Sequence, residues 1–167
     1  MSYSASSNNH LTIENWKDNE AIAEVREIYN EIQSKIKTNN FMQHHKNYDV
    51  KSKSCATYPI KHKSIAVDKA GFVRKLRIIQ LISHRKPLLI ERYYDVNGVI
   101  RFILKKSAHI EDRIFLDEKR NVILSVENHN GNVSITAYTN KDWETKPPTS
   151  SEAMKLYNDS YGCPSKK

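Results

Sequence analysis

Aspartates 68, 95 and 117 are the first residues in this chain whose spacing could carry chemistry. Each sits in the same short phrase, apolar pair, Asp, two residues, usually Gly, then an apolar run. The copies are Ala66-Val67-Asp68-Lys69-Ala70-Gly71-Phe72-Val73-Arg74, Tyr93-Tyr94-Asp95-Val96-Asn97-Gly98-Val99-Ile100-Arg101 and Phe115-Leu116-Asp117-Glu118-Lys119-Arg120-Asn121-Val122-Ile123. Carboxylates in such a repeat could bind calcium, but a calcium loop needs oxygen ligands at alternating positions, as in D-x-[DN]-x-[DN]-G. Asp95-Val96-Asn97-Gly98 supplies two such ligands and Asp68-Lys69-Ala70-Gly71 only one. The phrase fits a reversal between two strands better: Asp accepts from amides ahead of it, and Gly supplies the positive φ that closes the turn.

The other reactive residue types assemble into nothing comparable. His44 and His45 are adjacent, so on a strand they point to opposite faces, and no H-x-x-x-H or H-E-x-x-H spacing occurs. No G-x-S-x-G, no G-x-x-x-x-G-K-[ST] and no G-x-G-x-x-G is present, which removes the usual nucleophile and phosphate loops. Cys55 and Cys163 are too far apart in the chain for a C-x-x-C site. As a disulfide they would pin the C-terminal tail to the domain, worth about 4–5 kcal/mol in the chain-entropy model; two unrelated thiols are the alternative. The reading is of a protein that is not an enzyme and needs no cofactor or metal.

The elements that must position any binding residues can be read from periodicity. Ile22, Val25, Ile28, Tyr29, Ile32 and Ile36 recur at three and four, one apolar stripe on a helix over 19–38. Asp18 or Asn19 caps its start and Asn39-Asn40 its end. Trp16 can dock on the domain edge. Residues 39–63 carry little apolar content and read as a loop with one short strand near 56–60. From Ile65 the period becomes two, predicting strands at 64–68, 72–82, 88–94, 99–106, 110–116, 121–127 and 132–138. Asn130-Gly131 is a hairpin turn. Thr149-Ser150-Ser151-Glu152 is a capping box opening a short helix through about Asn158.

Register follows from the second copy. Pairing Tyr94 with Val99 puts Leu89, Tyr93, Ile100, Phe102 and Leu104 on a core face, which the long helix covers. Arg92, Tyr94 and Arg101 then share the open face, with Arg74 on a neighbouring strand. Arg and Tyr supply much of the binding energy at buried interfaces, so these four are the candidate binding residues. The structural alternative has Arg92 and Arg101 covering Tyr94 and meeting Glu91, Glu111 or Asp112.

Net charge is +8, but the cations are scattered, and the densest cluster is Arg74-Lys75-Leu76-Arg77. Nucleic acid or an acidic ligand is therefore a lesser expectation than a protein partner. No run approaches the ~20 apolar residues of a membrane helix, and no signal peptide is read at the N-terminus, which leaves a cytoplasmic protein or a mature secreted domain as the two expectations.

The Glu24-Val25-Arg26-Glu27-Ile28-Tyr29-Asn30-Glu31-Ile32 helix, the Tyr93-to-Phe102 hairpin and Phe115-Leu116-Asp117 together resemble a set of uncharacterised bacterial extracytoplasmic proteins of the Bacteroidetes type. These carry an I-Y-N-E-I helix and Y-Y-D-x-x-G-x-L-R-F hairpins. The hairpin phrase is also similar to Y-Y-x-x-G repeat proteins, some of them described as antitoxins. The resemblance spans about 20–125. It implies export to the periplasm or beyond, a helix on an antiparallel sheet, and no catalytic residue. Arg120 stands in the third copy where that pattern has Gly.

The expectation is thus an α+β fold: a long N-terminal helix on an antiparallel meander of five to seven strands, with a short C-terminal helix. Residues 1–17 would be a flexible lead, 18–146 one domain and 147–167 a tail. Its function would be binding, as a monomer or weak oligomer. An inhibitor or immunity-type protein using the Arg/Tyr face, and a binder of acidic ligand or nucleic acid, are the alternatives.

Overall fold

Each aspartate turn closes with the same set of hydrogen bonds. The Asp68 amide donates to the Phe72 carbonyl, Gly71 donates back to the Asp68 carbonyl, and Asp68 Oδ1 accepts from Ala70 and Phe72. Asp95 repeats this with Val99, Gly98 and Asn97. Asp117 repeats it with Asn121, Arg120 and Lys119, and Arg120 takes the left-handed φ of 65° that glycine takes in the other two copies.

These turns punctuate one sheet. The computed structural model describes residues 11–48, 59–82, 86–138 and 149–159. After a single 3-10 turn at Trp16–Asp18 come α1 (Glu20–Lys37), β1 (Met42–Asn47), β2 (Ile60–Val67), β3 (Val73–Ile82) and β4 (Lys86–Tyr94). Then follow β5 (Ile100–Lys106), β6 (Ile110–Leu116), β7 (Val122–His129), β8 (Asn132–Ala137) and α2 (Ser150–Asn158). The eight strands are antiparallel and lie in chain order from β1 to β8.

Eight strands exceed the expected five to seven because β1 falls inside the segment read as a loop. Met42-Gln43-His44-His45-Lys46-Asn47 is an edge strand with almost every side chain exposed, so it shows no apolar alternation to read. The strand expected near 56–60 lies largely outside the described residues, and β2 begins at Ile60.

Both ends of α1 form as expected. Asn19 Oδ1 accepts from the amides of Ala21 and Ile22. Asn39, at φ 55°, lets Asn40 donate to the Lys35 carbonyl and Asn39 to that of Ile36, a Schellman close. Ile22, Val25 and Ile32 are buried against Tyr93, Phe102, Phe115, Leu124 and Val126, and Trp16 packs on Phe115 with ring centroids 5.7 Å apart.

The opposite face is not open. Leu76, Ile78, Tyr94, Ile100, Ile103, Ile114 and Leu116 form a second buried cluster, which Ala153 and Tyr157 of α2 join. The chain is therefore helix on sheet on helix. Register explains part of the difference. Tyr93 pairs with Phe102 but Tyr94 pairs with Ile100, so Arg101 is an extra, bulged residue and Ile100 moves to the Tyr94 face. The same step occurs at Ala66/Val67, which leaves out Arg74, and at Phe115/Leu116, which leaves out Ile123.

Helix α2 is fastened at both ends. The Glu152 carboxylate accepts from the Thr149 amide in the capping box, Ser150 donates to the Gly98 carbonyl, and Ser150 Oγ accepts from Val73. At its other end, Lys63 Nζ donates to the carbonyls of Leu156 (2.6 Å) and Asp159 (3.0 Å), and Lys46 Nζ to that of Tyr157. Burial, with Lys46 adding and Asp159 opposing, lowers the Lys63 pKa from its ordinary value.

Two glycines separate backbone strain from packing. Gly71 has φ +87° and open space around it, whereas a Cβ at Gly98 (φ +76°) would sit 3.0 Å from Ser150 Cβ. Gly71→Ala is expected to lose about 1–2 kcal/mol from its left-handed backbone. Gly98→Ala loses a further ~1–3 kcal/mol by displacing α2. Urea unfolding of the two variants measures the difference, and equal losses would mean that Ser150 does not hold α2 against the turn.

Candidate functional site

Three of the four residues expected on an open binding face are interior. Arg74 is 3% exposed: its Nε donates to the Tyr94 carbonyl (3.0 Å), while Nη1 lies 3.6 Å from Asp68 and Nη2 3.4 Å from Glu31. Arg101, equally buried, repeats the arrangement one hairpin along. Its Nε donates to the Leu116 carbonyl (3.2 Å), Nη1 reaches Asp95 (3.4 Å) and Nη2 reaches Glu24 (3.1 Å). Each bulge thus turns an arginine toward α1, where it ties its own turn, the next hairpin and a helix carboxylate together.

The spacing is matched. Glu24 and Glu31 are seven residues apart, about 10.5 Å along a helix, and equivalent bulges are two strands apart, about 9.6 Å. The third hairpin has Ile123 at the bulge, and Asp117 Oδ2 instead accepts from Asn121 Nδ2 at 2.9 Å. All three aspartates therefore spend their oxygens on the turns and their neighbours.

Tyr94 is fully buried, with the Arg92 side chain beside its hydroxyl. Burial pushes its pKa up, Arg92 beside it opposes the shift, and Glu152 of α2 adds to it. Arg92 is half-buried on that same face, and among the described residues its Nη1 has no hydrogen-bond partner. The expected Arg/Tyr surface is thus split: Arg74 and Arg101 point toward α1, and Tyr94 lies in the cluster that α2 joins. Cys55 and Cys163 lie outside the described residues.

The accessible polar surface is on the α1 side, on the half of the sheet that the helix leaves uncovered. A groove of about 410 Å³ runs between Arg26, Tyr29 and Asn30 of α1 and Phe102, Leu104 and Arg113 of the sheet. At one end Glu111 sits between Lys106 (3.0 Å) and Arg113. Burial would raise the Glu111 pKa, but the hydrogen bonds from Lys106 and Arg113 hold it below its ordinary value.

Beside the groove, Glu91 is buried, paired with Lys75 (2.9 Å), and accepts from the Tyr93 hydroxyl at 2.6 Å. Gln33 Nε2 donates to the hydroxyls of Tyr29 (3.1 Å) and Tyr93 (3.4 Å). Burial, then the Glu91 carboxylate, raises the Tyr93 pKa, so the phenol stays a donor. Arg77 Nε lies 3.7 Å from Glu91 and its side chain is partly exposed. Farther along, the His45 and His62 rings are 5.8 Å apart, and His62 Nδ1 lies 2.7 Å from Asn47 Oδ1. Burial, then His45, then Arg77 lower the His62 pKa.

Along this surface Arg77, Arg113 and Lys106 are about half exposed, Lys75 is largely buried, and the carboxylates of Glu91 and Glu111 pair with them. Among the described residues no three His, Cys, Asp or Glu side chains converge as metal ligands would, and no helix is long and apolar enough to cross a membrane. The signal that could have located this surface is the alternation below the core: Tyr93, Glu91, Leu89 on β4 and Phe102, Leu104, Lys106 on β5 share one face.

Arg101→Met is expected to cost about 3–5 kcal/mol, because Asp95 and the Leu116 carbonyl lose a buried donor. Glu24→Gln, at the exposed end of the same pair, should cost under ~1 kcal/mol; thermal melts rank the two. His62 gives a pH dependence. Its folded pKa is below 6.5, so between the two values the unfolded chain binds a proton that the native state excludes, and stability falls as pH drops below 6.5. His62→Gln should shrink the loss in urea midpoint between neutral and mildly acidic pH, and an unchanged loss would remove His62 as its source. Comparison with protein-family models, with curated proteins and with solved structures finds no significant match to this chain.

Proposed function

We propose that the chain is a non-enzymatic binding protein that holds an acidic, partly apolar segment of another protein along the groove beside α1. One observation carries this reading: Arg26 and Arg113 flank a groove whose accessible floor is the half-buried Tyr29 and Leu104, with Phe102 buried beneath them. Arginine next to aromatic surface is the combination that supplies most of the energy in protein interfaces. The neighbouring cations are interleaved with Glu91 and Glu111. That alternation favours an occupant with spaced carboxylates and apolar side chains over a continuous phosphodiester chain. An inhibitor or immunity-type role is the form of this reading in which the occupant is part of an enzyme's surface. The resemblance of the helix and hairpins to extracytoplasmic proteins supports a place outside the cytoplasm.

Selection of a random-peptide library on the immobilised protein tests the reading. Enriched peptides should combine Asp or Glu with Leu, Ile, Phe or Trp. The doubly substituted Arg26→Gln, Arg113→Gln protein should release them while melting close to the parent, since Arg113 pairs with Glu111 at the exposed rim. Peptides held equally by both proteins would place recognition elsewhere. Displacement of the peptides by any oligonucleotide, regardless of base sequence, would favour a generic basic surface instead.

A further inference from the structure

Among the described residues β1 and β8 each pair with a strand on one side only, and these two edges differ. Strand β1 carries His44, His45 and Lys46 on its edge. Charges on an edge discourage strand-to-strand association, the more so in a chain with a net +8. Strand β8, Asn132-Val133-Ser134-Ile135-Thr136-Ala137, carries no charge, proline or bulge, and it pairs with β7 in unbroken register.

The turn before β8 fixes which backbone groups point outward. Asn130 and Gly131 have φ of 52° and 91°, a two-residue type I′ turn, so the flanking His129 and Asn132 exchange hydrogen bonds. By alternation Asn132, Ser134 and Thr136 bond to β7, and the N–H and C=O groups of Val133, Ile135 and Ala137 face away from the sheet. Val133 and Ile135 pair with Asn128 and Val126, which puts their side chains on the α1 side with Ile13 nearby. Val133 is 45% exposed and Ile13 52%.

We propose that β8 pairs antiparallel with β8 of a second copy of this chain, about a two-fold axis through Ile135. Only outward-facing residues can hydrogen-bond across the edge, so that axis sets Ile135 opposite Ile135, Val133 opposite Ala137 and Ser134 opposite Thr136. The α1 side then receives only apolar pairs and the other side only hydroxyl pairs, both of which stabilise antiparallel neighbours. No charge meets its own copy. Strand β1 offers no such match, because self-pairing there adds histidines and lysines to an already cationic chain. The contact is a strand edge and buries little area, so the dimer forms as a weak, concentration-dependent one.

Sedimentation of the full chain over a wide concentration range tests this. The parent protein should move from monomer to dimer mass, and the doubly substituted Val133→Lys, Thr136→Lys protein should stay monomeric with unchanged circular dichroism and melting. Hydrogen exchange on the parent gives a second reading that needs no variant. The amides of Val133, Ile135 and Ala137 should be protected in concentrated protein and lose that protection on dilution. A parent that stays monomeric throughout, a dimer that survives the two lysines, or protection that appears on β1 and not on β8 would each overturn the proposal. None of these outcomes depends on the groove beside α1.

Discussion

A guanidinium held inside a β-bulge is the contact on which the rest of this structure depends. Arg74 and Arg101 each satisfy three partners that belong to different parts of the chain: an aspartate in their own turn, a backbone carbonyl at the end of the next hairpin, and a glutamate on α1. A buried charge is tolerated only when its donors are taken up in this way. The result is that hairpin-to-hairpin stagger and helix placement are set together. Removing the bulges would return the arginines to ordinary strand positions and leave Asp68 and Asp95 with only the amides of their own turns. The third hairpin shows the limit of the device, since Ile123 has nothing to donate, and there α1 is anchored by apolar contact through Trp16 and Phe115.

That anchoring decides which part of the sheet face stays accessible. By lying across the turn end of the sheet, α1 buries the aromatic residues Tyr93, Phe102 and Phe115 but leaves the far half of the same face uncovered. The chain fills that half with leucines, cations and the two carboxylates Glu91 and Glu111. Beneath it the buried Glu91 carboxylate is taken up by the Tyr93 hydroxyl and by Lys75. The second face has a helix of its own, whereas the groove beside α1 brings the half-buried Tyr29 and Leu104 next to exposed arginines.

Much of the fold was legible in the residues. Asn19 and Asn39 mark the ends of α1, three Asp turns and Asn130-Gly131 mark the hairpins, and Thr149 with Glu152 opens α2, all for local reasons of capping and φ. What could not be read was set by neighbours. Strand β1 has no buried face and so no periodic signal. The bulges move Ile100 across the sheet and turn Arg101 inward, and a bulge changes no residue type that a period-two reading would notice. Arg92 and Tyr94 looked like an open surface because the sequence does not say where nine residues near the C-terminus will dock. Arg26, Lys106 and Arg113 look like ordinary solvated residues until the helix is placed beside them.

The way α2 is held bears on how the chain reaches its native state. Every strand pairs with its neighbour in sequence, so the meander can grow by local closures of low entropic cost. The Lys63 contacts to α2 are different, since they join residues 93 and 96 positions apart, and the Lys46 contact spans 111. On a ribosome, β2 is made long before the Leu156 and Asp159 carbonyls that Lys63 Nζ bonds in the finished fold. The meander is complete before its second layer can be, and the last described helix to be synthesised is the one that neutralises the cost of a lysine built into one of the first strands.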